Sequence, residues 1–540
     1  MDRYDAIVIG AGHNGLTCAA YLAKAGAEVL VVERDDEIGG GTTTAEVTLP
    51  GFKHNLHANY FIGFDVSPVY TDLELEKQGF RFIMPEVQQA YLFRDGRAFV
   101  VHADPQKTAT SIARFSRQDA DTYLRLYELW GVKLRPLLTS LLHNAPLPRK
   151  ELRERLRGPE VDELFEIMPL TPYQAIDRYF EDEHIRILIK KLLHVVHANN
   201  FPGTGIWFPL LVSNLSRMTL PVGGAISLPR ALSSVVEANG GTVITGARAH
   251  VEKILVENGR ARGVRLGDGT LALSRIVVSS IDFPQTVRLA GDTNFSSSVR
   301  EKAAKWQWTN EHSLMTLHLA LDDQPRYKAA EFDPDVNKAY NVQFGVNDTT
   351  ELIETFDDMR RESFPRRPAG NGCCNTMFDP TYAPAGKHVA FWWPFAPYRI
   401  DGSLDVWDRR REEFTDHLLG IWSSYSTNLS DNVLGAYLYT PLDIVRQRLN
   451  MVQGSVRMGA YTANQMGVNR PHADLADYRV PTVDGLYHCG SSSPNGGGVN
   501  GYPAYAAANA IVSDQGLNQW WKPLALPGTG KPAAAAGSAR

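Results

Sequence analysis

Gly10, Gly12 and Gly15 fall in the spacing G-x-G-x-x-G, with His13 and Asn14 between them, and an acidic residue, Glu33, closes the next apolar run. Each glycine has its own physical use in that spacing. Gly10 permits a tight turn, Gly12 lets the backbone approach a pyrophosphate with no Cβ in the way, and Gly15 lets a helix pack close to a sheet. Glu33 can accept hydrogen bonds from both hydroxyls of a ribose and would repel a 2′-phosphate. These residues could therefore hold a dinucleotide through its phosphates and one ribose, with an NADP-type ligand disfavoured.

The surrounding pattern supplies the elements such a site needs. Ala6–Ile9 is a continuous apolar, β-branched run, as expected of a buried parallel strand. Leu16–Lys24 reads as a helix with Gly26 in the C-cap position, and Glu28–Glu33 as a second buried strand. The predicted unit is β-α-β, with the helix N-terminus presenting free N–H groups and partial positive charge to the phosphates.

Residues beyond Glu33 bear on which dinucleotide is held. Arg34 opens a segment ending in the glycines Gly39, Gly40 and Gly41, where the chain could pass close to a second ligand segment such as the ribityl-pyrophosphate of FAD. Near the other end, Asp484–Gly490 reads as a turn and strand, Ser491–Gly501 as a glycine-rich loop, and Tyr502–Ser513 as a helix. A second helix N-terminus behind a glycine-rich loop suits the FAD phosphates or the N1/C2=O edge of a reduced flavin. Gly490, Gly498 and Val499 are the candidate contacts in this region.

Several segments resemble the phytoene desaturase-like branch of the flavin amine oxidase superfamily, and within it the pyridine nucleotide-disulfide oxidoreductase domain-containing type. They are GAGHNG…VVER…GG at the N-terminus, Leu49-Pro-Gly-Phe-Lys53, Pro221-Val-Gly-Gly224 with the glycine-rich block to Asp282, Asp379–His388, and Tyr478-Arg-Val-Pro…GLYHCGSSSPNGGGVNG. The resemblance implies FAD as cofactor and adenine at the backbone of Val251, which by spacing alone is equally a core strand residue. Gly41 departs from the pattern, standing where many relatives carry arginine.

The expected fold is α/β. A Rossmann-like (GR2-type) FAD-binding domain is assembled from residues 1–70, 220–290 and 450–525, and an α+β substrate domain from 71–219 and 291–449. The strand-like runs between 240 and 280 read as hairpins. Residues 105–215 are helix-like; runs at 313–321 and 388–395 are strand-like, with a helix near 412–424. Residues 527–540, rich in Pro, Gly and Ala, read as a disordered tail.

Composition narrows the function class. The 540 residues carry a net charge of −5 with 44% hydrophobic and 21% charged content, ordinary for a globular protein and contrary to a nucleic-acid partner. Cys18, Cys373, Cys374 and Cys489 lack metal or redox-pair spacing; adjacent Cys373 and Cys374 read as reduced thiols, or alternatively as a vicinal disulfide. The strand pattern begins at Tyr4, leaving no room for a signal peptide, and no apolar run has membrane-spanning length. A cytoplasmic protein is expected, with attachment to a membrane surface left open.

The expected chemistry is transfer of a hydride from a substrate carbon to flavin. Candidates to assist it are His57 as a base, with Asn500 and Tyr502 lining the ring. His194 and His197 read as a packed surface pair rather than metal ligands, and no metal site is expected. Trp207-Phe208 and Phe391–Phe395 read as core, or as walls of a pocket for a hydrophobic or aromatic small molecule. Three functions stay open: desaturation of a C–C bond, oxidation of a C–N or C–O bond in a smaller amine or alcohol, and binding or regulation with little turnover. The sequence distinguishes neither oxygen from a quinone as acceptor nor one oligomeric state from another.

Overall fold

The computed structural model describes residues 2–309 and 312–526. The tail expected over 527–540 lies outside them.

Strand β1 (Ala6–Ile9), helix α1 (His13–Lys24) and strand β2 (Val29–Val32) form the β-α-β unit. Three distant strands complete the sheet: β3 (Thr242–Ile244), β4 (Ile276–Ser279) and β5 (Leu486–His488). Their order is β3-β2-β1-β4-β5, and every neighbouring pair is parallel. Helix α2 (Tyr502–Gln515) follows the C-terminal loop. β1 and β2 are apolar and buried at every position because both of their faces are covered. Ala6 and Val8 pack with α1, α2 and the helix Ser227–Ala238; Ile7 and Ile9 face Phe283, Val287 and Val299 on the other side.

The hairpin expectation for 240–280 holds only in part. Val251–Glu257, Arg260–Leu266 and Leu271–Leu273 form an antiparallel meander. Thr242–Ile244 and Ile276–Ser279 instead join the parallel sheet, one on each side of the β-α-β unit. Short apolar strands look alike in both settings; here the buried edges of β1 and β2 decide their pairing.

The remaining bulk is an eight-stranded mixed sheet containing Thr316–Leu321, His388–Ala396, Gly370–Cys374 and Val87–Leu92. Helices from the 105–214 region pack on one face and Arg411–Tyr425 on the other. Successive strand residues point to opposite faces, which sends Cys373 into one core and Cys374 into the other. Cys373 Sγ donates to the Tyr340 carbonyl at 2.6 Å, and all four cysteines are free thiols, so the vicinal disulfide is ruled out here. Among the described residues no helix is long and apolar enough to cross a membrane.

Candidate cofactor and substrate site

The glycines of the first loop differ in what demands them. A Cβ on Gly15 would lie 2.0 Å from the Gly10 carbonyl oxygen, and one on Gly10 would lie 2.6 Å from Ser280 Oγ, with φ at +95°. These two are required by protein packing. A Cβ on Gly12 would meet nothing within 4 Å. It would project into the open space of a cleft that Gly12 lines.

Gly12 is also the N-cap of α1 and no side chain caps that end, so the orphan N–H groups of the first turn are left for a ligand. Gly10, Gly12, His13, Asn14, Gly15, Glu33, Arg34, Gly40, Gly41 and Val251 all line one cleft. Asn14 Oδ1 is buried there without a hydrogen-bond partner. Glu33 Oε2 accepts from the Ala11 N–H at 2.8 Å and Oε1 from the Asp35 N–H at 3.0 Å. Burial raises the Glu33 carboxyl above its usual range, and those two amides oppose the shift. Arg34 turns outward and pairs with Asp35 at 2.9 Å.

The C-terminal loop reaches the same place. His13 Nε2 donates to the Gly498 carbonyl at 3.0 Å, tying the first loop to the last, while burial lowers the imidazole to about 4 and leaves it neutral. Ser491, His13, Gly41 and Met451 line both the cleft and a larger adjoining cavity of about 530 Å³. Gly498 and Val499 line the larger cavity. Gly490 lines neither; a Cβ on it would lie 2.3 Å from the Ser280 carbonyl oxygen, so that glycine answers to close backbone packing.

His57, Asn500 and Tyr502 all line the larger cavity. His57 is buried, with Nε2 3.2 Å from Tyr439 Oη and Nδ1 unpartnered. Burial, with Arg448 adding to it, lowers His57 to about 3, which makes it a weak base rather than one poised near neutral pH. Asn500 Oδ1 accepts from the Tyr502 N–H at 3.2 Å, and burial pushes the Tyr502 phenol up to about 12.

Leu138, Leu141, Leu192, Leu210, Leu211 and Met168 give the cavity an apolar wall. Trp207 and Trp393 line it too, whereas Phe208, Phe391, Trp392 and Phe395 are core residues. The surface-pair reading of the two histidines is corrected: His194 is buried beside Tyr173 Oη at 2.7 Å, and His197 lines the cavity, stacked on His312 at 4.5 Å. Among the described residues no group of metal-ligating side chains assembles.

Sequence reasoning missed Arg448, Met451, Arg457 and the leucines of 138–211. Leu137-Leu-Thr-Ser-Leu-Leu142 did carry a signal, since its apolar positions exceed what one helix face needs to bury. Arg448 pairs with Asp35 and lies 3.3 Å from Thr43 Oγ1 at the cleft beside Gly41.

A family described as an NAD(P)-binding Rossmann-like domain matches residues 8–73. One of the subunits of limonene dehydrogenase from Castellaniella defragrans is 32% identical over 96% of both chains. Pyridine nucleotide-disulfide oxidoreductase domain-containing protein 2 of Rattus norvegicus is 29% identical over 95% of this chain and 94% of its own. The lycopene-forming phytoene desaturase of Pantoea ananas is 24% identical over 93% and 97%. In fold, a putrescine oxidase mutant aligns with a TM-score of 0.61 at 14% identity, covering 95% of this chain and 98% of its own. The chain belongs to the phytoene desaturase-like branch of the FAD-dependent oxidoreductases, within the flavin amine oxidase superfamily.

Proposed function

We propose that this enzyme desaturates a C–C bond of a hydrophobic small molecule, a hydride leaving one carbon for the flavin and a proton leaving the neighbouring carbon for solvent. The observation that carries the reading is the leucine-walled cavity of about 530 Å³, which shares His13, Gly41, Met451 and Ser491 with the dinucleotide cleft. A hydrocarbon seated there exchanges water for an apolar wall, at about 25 cal/mol per Å² buried.

The residues fit FAD. Gly12 leaves space open for a phosphate, the first turn of α1 is uncapped, Asn14 Oδ1 lacks a partner, and Glu33 lines the same cleft with a carboxylate a ribose could donate to. In this reading Gly10 to Gly15, Glu33, Arg34, Gly40, Gly41 and Val251 hold the adenosine and pyrophosphate end. Gly498 and Val499, with Gly490 shaping the turn behind them, flank the ring. When bound, FAD supplies the hydride acceptor. The chain excludes water with its leucines, and Trp207 and Trp393 line the space the substrate takes. His57, Asn500 and Tyr502 bound the space in which the reacting carbon sits. Residues 1–70, 220–290 and 450–525 serve as the cofactor domain, with 71–219 and 291–449 as the substrate domain.

An anaerobic titration of the holoenzyme with hydrophobic alkenes and terpenes, beside a panel of amines and alcohols, tests this. Bleaching of the flavin by the hydrophobic set alone is expected. Bleaching by small polar amines or alcohols with no response to any lipophile would overturn it.

A further inference from the structure

Among the described residues, the cavity holds a cation with no counter-charge. Arg149, at its rim, is exposed to solvent. Arg470 is buried but its donors are met by carbonyls, including Ser491 O at 2.8 Å, Arg457 O at 2.8 Å and Gln465 O at 3.1 Å. Arg457 differs from both. Its Nη2 donates to the Val196 carbonyl, its Nε is buried without a partner, and among the described residues no carboxylate pairs with it. The phenol rings of Tyr461 and Tyr60 are its neighbours, with the Tyr461 ring centre 5.6 Å from the guanidinium carbon.

The glycine-rich loop is packed around this side chain. A Cβ on Gly497 would lie 2.8 Å from Arg457 Cδ, and one on Gly498 would lie 3.3 Å from Nη1. A guanidinium that is half-buried in an apolar-walled cavity, with its Nε buried and a single carbonyl as partner, is expensive to keep, and an anion completes it. The usual partner for its planar fork is an oxygen carrying negative charge.

We infer that Arg457 is the binding residue for an electron-rich or anionic oxygen that enters this cavity with a ligand. The inference rests on the FAD reading of the site. Two sources share that chemistry: a carboxylate or carbonyl on the substrate, which would make the preferred substrates oxygenated hydrocarbons, and the carbonyl edge of the flavin, whose charge grows on reduction.

The test compares wild type with Arg457→Met and Arg457→Gln, both checked for FAD content and melting temperature, and with Arg457→Lys as the charge-keeping control. The midpoint potential of substrate-free holoenzyme is measured against a reference dye, and spectral titrations are run with decanoate and with decanol. Loss of one charge-assisted hydrogen bond predicts about a tenfold change. If the flavin is the source, the reduction equilibrium falls about tenfold in Met and Gln, about 30 mV for a two-electron couple, and Lys restores most of it. If the substrate is the source, the potential holds while decanoate affinity falls about tenfold and decanol affinity does not. Unchanged potential together with unchanged decanoate affinity overturns the inference. A wild-type protein that binds no FAD would instead overturn the cofactor reading beneath it.

Discussion

Alanine at Gly15 should destabilise the empty protein, whereas alanine at Gly12 should leave it unchanged and act on cofactor binding alone. A Cβ at Gly15 would sit 2.0 Å from the Gly10 carbonyl oxygen, so the start of α1 must move away from that carbonyl by about 1.4 Å to reach ordinary contact. Overpacking of that kind costs about 1–3 kcal/mol, and the helix propensity of alanine returns up to ~1 kcal/mol. Gly15→Ala should therefore destabilise the apoprotein by about 1–2 kcal/mol. Gly12 has φ −71° and ψ 167°, which alanine adopts without strain, and its Cβ would meet no protein atom. Its N-cap penalty relative to glycine, about 0.7 kcal/mol, is offset by about 0.4–1 kcal/mol of lost unfolded-chain entropy. Apoprotein stability should stay within about 0.5 kcal/mol of wild type. FAD affinity should nevertheless fall at least about tenfold, ~1.4 kcal/mol, because the new methyl occupies the phosphate's approach. Urea unfolding of the apoproteins gives the first quantity and quenching of FAD fluorescence the second. Gly12→Ala protein that binds FAD like wild type, or that loses more than about 1 kcal/mol when empty, would refute the assignment of that space to a ligand.

Acid should unfold the protein through its buried neutral histidines. His54 and His57 are lowered to about 3, and His143, His312 and His488 to about 4, all by burial. A histidine with a depressed folded value contributes stability above its unfolded value of about 6.5, and that contribution is lost as pH falls from there toward the folded value, at up to about 1.4 kcal/mol per unit per histidine. Urea midpoints should drop steeply between about pH 7 and 5; a flat profile would contradict the burial of these rings. Glu33→Gln should weaken FAD binding and destabilise the loop by about 1–3 kcal/mol, since an amide can satisfy only one of the Ala11 and Asp35 N–H donors at a time; calorimetric FAD titration and unfolding would show it, and unchanged values would count against the contact. Leu210→Trp should fill part of the apolar cavity and raise KM for a lipophilic substrate with FAD content unchanged, whereas an unaltered KM would remove Leu210 from the substrate wall.

The parts of the molecule legible in the sequence are those whose physics is local. The turn–helix–strand spacing from Gly10 to Glu33 and the glycine-rich loop before Tyr502 each declare themselves within a few tens of residues. The resemblance carried the cofactor. Thr242–Ile244 and Ile276–Ser279 misled because three- or four-residue apolar runs carry no mark of parallel or antiparallel pairing. Arg448, Met451 and Arg457 were invisible for a different reason. They come from irregular chain around the turn at Val452–Gly454, and only the fold brings them against Gly41 and Gly498. Gly41 looked like a lost positive charge; Arg448 supplies one at the same cleft from a distant segment.

Reconstitution of the purified apoprotein with FAD tests the central claim most directly. Equilibrium dialysis should show saturation at one FAD per chain, with blue-light absorbance, and excess NADP should fail to displace it because Glu33 repels a 2′-phosphate. Folded protein that stays colourless in FAD, or that takes up NADP in its place, would contradict the account.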